Sequence, residues 1–192
     1  MSKLILASKS PRRQELMQKL RVPFLAEPAV GEEIIPQGTA AEDTAQVLSF
    51  QKAKEVFSRH AGEDVTVIGS DTVVILDGKI FGKPHSKEEA KEMLRSLSGR
   101  THEVRTGVTI LSKDFSESFT SVTEVTFYPL SEQQIASYVR SGEPMDKAGA
   151  YGIQGLGALL VRKIHGDYYT VVGFPIAEIA AILAKNGVIS WE

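Results

Sequence analysis

A chain of 192 residues, with 42% hydrophobic and 24% charged residues, predicts a soluble globular protein with a buried core. Its net charge is −2, whereas proteins that bind duplex nucleic acid usually have a strong excess of basic residues. The chain contains no cysteine, which excludes disulfides and thiolate metal sites. The first apolar run, residues 4–7, is too short for a signal peptide or a membrane span. We therefore expect a cytoplasmic protein with no membrane or nucleic-acid partner.

The first half of the chain predicts alternating strands and helices. Ser10 is a good N-cap residue and Pro11 suits a first helical position, so a helix is expected to start there. The sequence Asp77-Gly78 is typical of a tight hairpin turn. The predicted elements are a strand at 4–7, the helix from Pro11, a strand at 22–26, a loop at 30–38, a helix at 41–60, β-rich runs at 65–69 and 73–76, and a returning strand at 79–81.

The second half predicts both helices and hairpins. Ser86 and Glu89 have the spacing of a capping box, and Asn186-Gly187 is a helix stop signal. The predicted elements are helices at 86–97, 131–140 and 175–185, strands at 104–111, 118–128, 158–164 and 168–172, and an unassigned glycine-rich stretch at 142–157. This mixture favours an α/β fold with a mixed sheet flanked by helices over a purely parallel sheet.

The segment from Ser8 to Arg13 is a candidate anion site. A strand runs into a helix start there, where free backbone N–H groups attract anions. Arg12 and Arg13 occupy the first helical turn, which disfavours cations unless a polyanion binds. The alternative is a solvated surface pair.

Gly69-Ser70-Asp71-Thr72 interrupts an otherwise apolar β run. An aspartate in that place must be hydrogen-bonded, bound to a metal or exposed in a cleft, because an unpaired buried charge is costly. Asp71 is therefore a candidate metal ligand or proton acceptor. The alternative is a structural turn, for which the sequence is equally suitable.

Two glycine-containing motifs are rejected as nucleotide-binding fingerprints. The sequence Gly82-Lys83-Pro84 has the wrong spacing for a P-loop, and proline replaces the hydroxyl residue that would bind magnesium. Lys83 is still a candidate phosphate contact, or an exposed turn lysine. The segment Gly152 to Gly157 has the reverse order of the dinucleotide fingerprint, so its glycines indicate tight turns or close approach of a ligand.

Charged residues elsewhere leave open choices. Lys52 and Lys54 lie two residues apart on the predicted long helix, so at most one can point into a given site. Glu32 and Glu33 could share a metal with Asp71 or face solvent. The four histidines have no metal-ligand spacing, and no role is assigned to them.

Four segments together resemble the Maf family of nucleoside triphosphate pyrophosphatases, in order and in spacing over nearly the whole chain. They are Ser8-Lys9-Ser10-Pro11-Arg12-Arg13, Gly69-Ser70-Asp71-Thr72, Gly82-Lys83-Pro84 and the ten residues from Asp146 to Gly155. The resemblance implies an inosine triphosphatase-like fold over 1–192: a long curved mixed β-sheet flanked by helices, in one domain with two lobes around a central cleft.

The resemblance also implies a reaction, in which water attacks the α-phosphorus of a nucleoside triphosphate and releases pyrophosphate. Asp71 would be the catalytic base or a metal-linked carboxylate, with Glu33 as a second acidic group beside a Mg²⁺ or Mn²⁺ ion. The residues expected to bind substrate are Ser8, Arg12, Arg13, Lys52, Thr72, Lys83 and Gln154.

Three of these positions imply the substrate branch. The branch acting on 7-methyl-GTP has tryptophan, glutamine and glutamate where this chain has Arg12, Thr72 and Gln154. The combination found here resembles the dTTP and UTP branch, and a neutral amide fits the edge of a uracil or thymine ring. Modified pyrimidine nucleotides are further candidate substrates, which would make the enzyme a house-cleaning one.

The resemblance leaves a rival function of another class. In some bacteria the family is associated with inhibition of septum formation, which could depend on protein partners instead of hydrolysis. Both functions could also belong to one chain. A homodimer is the expected assembly for an enzyme of this size.

Overall fold

The computed structural model describes residues 2–190, and its strands form a mixed sheet. The strands are β1 (Lys3–Leu6), β2 (Phe24–Ala26), β3 (Val65–Leu76), β4 (Lys79–Phe81), β5 (Thr101–Ser112), β6 (Ser116–Phe127) and β7 (Val161–His165). Among the described residues the sheet has seven strands in the order β2-β1-β3-β5-β6-β7, with β4 paired to β3. β1 pairs in parallel with β2 and β3, whereas β4 on β3 and β7 on β6 are antiparallel. The predicted mixed α/β sheet is confirmed.

Among the described residues, five of the six α-helices lie where the sequence predicts a helix. They are α1 (Pro11–Gln18), α2 (Thr44–Arg59), α3 (Lys87–Leu97), α4 (Glu132–Arg140), α5 (Tyr168–Val172) and α6 (Ile176–Lys185), with 3₁₀ helices at Ala41–Asp43, Glu143–Asp146, Ala148–Ala150 and Leu156–Leu159. α3 shows why they form, because it buries Ala90, Leu94 and Leu97 at helical spacing and leaves its charged residues outside. Between residues 2 and 190, no helix has both the length and the apolar character that crossing a bilayer requires.

The chain divides into two compact units. The first contains the residues up to Asp71, Thr106–Ser121 and the residues from Gly173 onward. The second contains Thr72–Arg105 and Val122–Val172. Each unit is therefore made of chain segments that are distant in sequence.

Each unit has its own hydrophobic core. In the first unit, Ala53 and Val56 of α2 pack with buried residues of β1 and β3 such as Ile5 and Val67. In the second unit, residues of α3 and α4 pack with strand residues and with Tyr151. Its buried members are Val74, Leu76, Phe81, Ala90, Leu94, Leu97, Val104, Val125, Phe127, Ile135, Tyr138, Val139, Ala150, Tyr151 and Leu160. Burial of this apolar surface is the main stabilising contribution to each unit.

The predicted break in the third strand is wrong, since β3 runs without interruption from Val65 to Leu76. Ser70 is fully buried, and its hydroxyl donates to the carbonyl of Gly173 at 3.2 Å. Asp71 accepts a hydrogen bond from Lys52. Both polar side chains have partners, so the strand tolerates residues whose local preference is for a turn.

Residues 168–172 were predicted to form a strand and instead form α5. The Asp167 carboxylate accepts from the backbone N–H of Thr170 at 2.8 Å and from its hydroxyl at 3.1 Å. This is the hydrogen bonding of a helix N-cap, and it outweighs the strand preference of the aromatic and β-branched residues that follow.

The predicted helix caps were partly right. Ser131 and Gln134 form a complete capping box at α4, and Ser86 accepts from the Glu89 N–H at 3.1 Å. The Glu89 carboxylate, however, accepts from the N–H of His85 and not from that of Ser86. Ser10 occupies the N-cap position of α1, but among the described residues its side chain makes no capping hydrogen bond. The predicted helix start is nevertheless confirmed, because Ser10 is the N-cap residue and Pro11 the first residue of α1.

Candidate functional site

The link between β1 and α1 places a buried hydroxyl beside an arginine. The Ser8 hydroxyl oxygen accepts from the Ser10 backbone N–H at 3.2 Å and from Arg13 Nη1 at 3.5 Å. α1 starts at Pro11, and its first turn holds Arg12 and Arg13 without any acidic residue. The first turn of α1 is therefore positive both from the helix dipole and from its side chains, which suits an anion.

Arg13 is held in place from a distant part of the chain. Its Nε donates to the backbone carbonyl of Gly173 at 2.8 Å, and the same carbonyl accepts from the Ser70 hydroxyl at 3.2 Å. Burial lowers the pKa of the Arg13 guanidinium, against the opposing effect of Asp71, while Arg12 lowers it and Glu33 raises it. Arginine stays protonated in proteins, so Arg13 provides a fixed positive charge.

Lys52 joins the two predicted acidic residues. Its ammonium group contacts the Asp71 carboxylate of β3 and lies 3.0 Å from Glu33 Oε1. The Lys52 and Asp71 side chains are only 16% and 13% exposed, whereas Glu33 is 56% exposed. Lys54, two residues further on, is exposed and lies over the Phe50 ring. Of the two lysines, only Lys52 therefore belongs to this group.

Close backbone packing brings Lys52 to Asp71. A Cβ atom on Gly69 would lie 2.2 Å from the Ser49 carbonyl oxygen and 2.7 Å from the Ala53 nitrogen. Only glycine allows α2 to approach β3 so closely. The residue before Ala53 is Lys52, and Asp71 follows Gly69 by two positions.

Polar residues of α2 hold the loop that carries Glu33. The Glu55 carboxylate accepts from the N–H groups of Val30 at 2.9 Å and of Gly31 at 3.0 Å. The Gln51 side chain both accepts from and donates to the backbone of Ile34. Glu33 is therefore an exposed loop residue whose backbone is attached on both sides to the helix of Lys52.

The remaining predicted site residues lie in the second unit. Thr72 is half-buried on β3, and Lys83 is exposed between β4 and α3. Gln154 is exposed on the glycine-rich segment. The structure thus brings together Ser8, Arg12, Arg13, Glu33, Lys52 and Asp71 in the first unit, and places Thr72, Lys83 and Gln154 in the second.

Sequence reasoning did not find three residues that organise these groups. The Gly173 carbonyl ties Arg13 to Ser70, Glu55 anchors the Glu33 loop, and Glu143 binds the segment around Gln154. A backbone carbonyl has no sequence signal. Glu55 and Glu143 resemble ordinary helix and turn glutamates, because their partners are backbone N–H groups remote in sequence.

The arrangement of Asp71 and Glu33 suits a hard divalent cation. Both carboxylates converge on one cationic atom, Lys52 Nζ, and carboxylate oxygens are the ligands that Mg²⁺ and Mn²⁺ prefer. Among residues 2–190, no three His, Asp or Glu side chains lie together as a complete metal site. A metal bound by these two carboxylates would take further oxygen ligands from a phosphorylated substrate, as magnesium often does.

The chain is similar to known proteins over nearly its whole length. The family model described as Maf-like protein matches residues 3–186. A dTTP/UTP pyrophosphatase from Bacillus velezensis is 52% identical over 95% of this chain and 96% of its own length. The dTTP/UTP pyrophosphatase of Halalkalibacterium halodurans is 44% identical over 97% of each chain.

One solved structure supports the fold. The Staphylococcus aureus Ham1 protein matches with a TM-score of 0.53 and 15% identity, covering 96% of this chain and 99% of its own. At this identity the similarity concerns the fold alone. The expected likeness in fold is confirmed by this match.

Proposed function

Because the chain belongs to the Maf family, we propose that it hydrolyses dTTP and UTP to the nucleoside monophosphate and pyrophosphate. The observation that carries the proposal is the cluster of Lys52, Asp71 and Glu33, in which two carboxylates meet at one cation. Arg13, whose pKa responds to both carboxylates, adds a fixed cation to the same unit. The names of the bacterial relatives support the choice of substrate.

Positively charged groups would bind the triphosphate. Arg13 is pre-oriented by the Gly173 carbonyl, so little side-chain entropy is lost when its fork meets a phosphate. The first turn of α1 adds backbone N–H groups and Arg12, and Ser8 adds a hydroxyl. Lys52 and Lys83 are the remaining proposed phosphate contacts. Electrostatic stabilisation of this kind supplies most of the rate in phosphoryl transfer.

Asp71 is the proposed proton acceptor. Its half-buried carboxylate would orient a water molecule and take its proton as the water oxygen bonds to the α-phosphorus. The bond between the α-phosphorus and its bridging oxygen then breaks, and the electron pair leaves with pyrophosphate. Lys52, which contacts Asp71, keeps this carboxylate oriented before the substrate arrives.

Asp71 and Glu33 are also the proposed ligands of Mg²⁺ or Mn²⁺. The ion would polarise phosphate oxygens and offset the charge that develops on them. Lys52 contacts both carboxylates, so it holds them near each other until a cation binds. Glu33 is the more exposed of the two and lies on a loop, so it can adjust to the ligand geometry.

Base selection is proposed to depend on Gln154, Thr72 and Arg12. Gln154 carries an amide that both donates and accepts, as the edge of uracil or thymine requires. It is exposed, so its hydrogen-bonding groups are accessible to a ligand.

The test is pyrophosphate release from a panel of dTTP, UTP, CTP, dATP, GTP and 7-methyl-GTP, with and without Mg²⁺ or Mn²⁺. We expect metal-dependent release that is concentrated on dTTP and UTP. Preference for 7-methyl-GTP would contradict the proposed base selection but would still agree with the proposed release of pyrophosphate. No release from any triphosphate would contradict the proposed function.

A further inference from the structure

The Glu143 carboxylate is the centre of a hydrogen-bond network in the second unit. Its Oε1 accepts from the Tyr138 hydroxyl at 2.9 Å and from the Gly157 N–H at 3.0 Å. Its Oε2 accepts from the Leu156 N–H at 2.9 Å. One half-buried side chain thus receives three hydrogen bonds, and two of them come from backbone N–H groups in the segment from Gly152 to Gly157.

The network holds this segment on both sides of Gln154. Besides donating to Glu143, the Tyr138 hydroxyl accepts from the Gly152 N–H at 3.1 Å. The amides of Gly152, Leu156 and Gly157 are therefore all attached to the Tyr138–Glu143 pair. Gln154 lies between these attachment points, and its own side chain is exposed.

Steric contact adds to the hydrogen bonds. A Cβ atom on Gly155, the residue after Gln154, would lie 2.3 Å from Glu143 Oε2. The backbone next to Gln154 can approach the carboxylate only because that residue is glycine. Lys147 completes the arrangement, since its Nζ donates to the Glu143 backbone carbonyl at 2.6 Å and to Asp146 at 2.7 Å.

The protonation states agree with this geometry. Burial raises the pKa of Glu143, but the N–H groups of Gly157 and Leu156 and the Tyr138 hydroxyl outweigh it, so the pKa lies below its usual range. Burial also raises the pKa of Tyr138, which keeps the hydroxyl protonated as a donor. Charge-assisted hydrogen bonds of this type are about twice as strong as neutral ones.

We propose that Glu143 is a positioning residue for base selection, because it fixes the backbone from which Gln154 reaches the nucleobase. This inference rests on the proposed function and adds a residue outside the proposed site. A side-chain amide can distinguish uracil from cytosine only if its carbonyl and amino groups are held in register with the base. Gln154 is on a loop, so that register depends on the groups that hold the loop.

The experiment compares Glu143→Gln with the wild-type enzyme and with Glu132→Gln as the matched control. The new amide offers only one acceptor atom and directs its amino group toward donors, so the segment loses hydrogen bonds. We expect kcat/KM for dTTP relative to CTP to fall about ten-fold, mainly through KM, with an unchanged metal requirement. Glu132 forms an exposed ion pair with Arg95, and its variant should keep the wild-type ratio.

A double-mutant cycle separates positioning from general stability. If Glu143 acts through Gln154, then Glu143→Gln should cause no further loss of selectivity in a Gln154→Ala background. Additive losses in the cycle, or an unchanged dTTP/CTP ratio in Glu143→Gln, would overturn the positioning role. Failure of the wild-type enzyme to release pyrophosphate from dTTP or UTP would instead overturn the proposed function and this inference together.

A second variant covers the case in which Glu143→Gln does not fold. Tyr138→Phe keeps the buried ring but removes the hydroxyl that links Gly152 to Glu143. It should lower the same selectivity ratio and speed hydrogen exchange at the Gly152 N–H. An unchanged ratio with faster exchange would show that the loop is loosened without effect on base selection, and would overturn the proposal.

Discussion

At the scale of single residues, the charges of the first unit are arranged in mutual contact. Lys52 touches Asp71 and Glu33, and Arg13 is fixed by the Gly173 carbonyl. Replacing one member of such a half-buried group leaves another charge without its partner, which is costly. Substitutions that keep the shape and remove only the ionisation are therefore the informative ones.

Asp71→Asn tests the proposed proton acceptor. The amide keeps the size and can still accept from Lys52, but it cannot take a proton. We expect kcat to fall by about two to four orders of magnitude, the usual contribution of a general base, while the fold is retained. Steady-state pyrophosphate release and circular dichroism measure the two effects. Asp77→Asn, in an exposed ion pair with Arg100, is the control, and a near-normal rate for Asp71→Asn would remove Asp71 from the mechanism.

His102 predicts a pH dependence of stability. It is 2% exposed, and its Nε2 shares a hydrogen bond of 2.8 Å with the Tyr151 hydroxyl. Among the described residues its Nδ1 has no partner, and burial lowers the pKa of His102 to about 4. Folding therefore favours the neutral ring, so this stabilisation is complete above the ordinary pKa of 6.5 and is lost as the pH falls toward 4.

The measurement is the free energy of unfolding of His102→Gln and wild type at about pH 7.5 and about pH 5, the range in which a histidine of normal pKa becomes protonated. Glutamine can still bond to the Tyr151 hydroxyl and does not titrate. We expect the wild type to lose on the order of 1 kcal/mol per pH unit more than the variant over this range. Equal losses for the two proteins would show that His102 does not contribute to the acid sensitivity.

At the scale of elements, helix α2 positions the charged residues of the proposed site. Gly69 lets the helix backbone lie against β3, and Lys52 and Asp71 meet as a result. Glu55 and Gln51, on the same helix, hold the loop of Glu33. The position of one helix thus sets the distances among a cation and two carboxylates.

Gly69→Ala should move α2 away from β3. The added Cβ would lie 2.2 Å from the Ser49 carbonyl oxygen, a backbone atom that only a shift of the helix can relieve. We expect a loss of about 1–3 kcal/mol in the free energy of unfolding, with a fall in kcat/KM as Lys52 separates from Asp71. Gly82→Ala is the control for stability, because nothing lies within 4 Å of its Cβ position. Wild-type stability and activity for Gly69→Ala would contradict this account.

Glu55→Gln should weaken metal binding without entering the reaction. The variant loses part of the attachment of Val30 and Gly31, so the Glu33 loop becomes less ordered. We expect the metal concentration for half-maximal activity to rise about three- to ten-fold, with kcat at saturating metal retained. A metal titration measures this, with Glu117→Gln in the surface ion pair with Lys185 as the control. An unchanged titration midpoint would exclude Glu55 from metal binding.

At the scale of the whole molecule, a net charge of −2 gives no general attraction for a triphosphate. The proposed binding of the triphosphate therefore depends on local groups such as Arg13 and the first turn of α1. Along the sequence, three of the boundaries between the two compact units fall within strands β3, β5 and β6. The organisation as one domain with two lobes stays a prediction, as does the homodimer.

A pyrimidine triphosphate analogue should stabilise the whole protein. A ligand that binds only the folded state adds about 2.7 kcal/mol at about one hundred times its Kd, which corresponds to about 5–10 °C in Tm for a chain of this size. The α,β-methylene analogue of UTP with Mg²⁺ is expected to give this shift in differential scanning calorimetry. The corresponding ATP analogue at the same concentration should give a smaller one. Equal shifts for the two analogues would contradict selection of the base.

Local signals in the sequence predicted most of the fold. Asp77-Gly78 forms the expected hairpin turn with positive φ at both residues, and Ser131 caps α4 as a serine in that position should. The predicted strand at 168–172 was wrong because the local N-cap at Asp167 outweighs strand preference. The predicted break in β3 was wrong because distant partners override local preference there. Ser70 and Asp71 remain in a strand because the Gly173 carbonyl and Lys52 satisfy them.

The sequence by itself determined the α/β class, the family and the set of candidate charges, because periodicity, capping and motif spacing are local properties of the chain. Only the tertiary structure decided which of these charges meet. The packing of α2 against Gly69 places Lys52, and not Lys54, beside Asp71. The contacts of Glu143 with the N–H groups of residues 156 and 157 are likewise known only from the tertiary structure. Such contacts join residues far apart in sequence, so they are specified by the packing of whole elements and leave no local pattern.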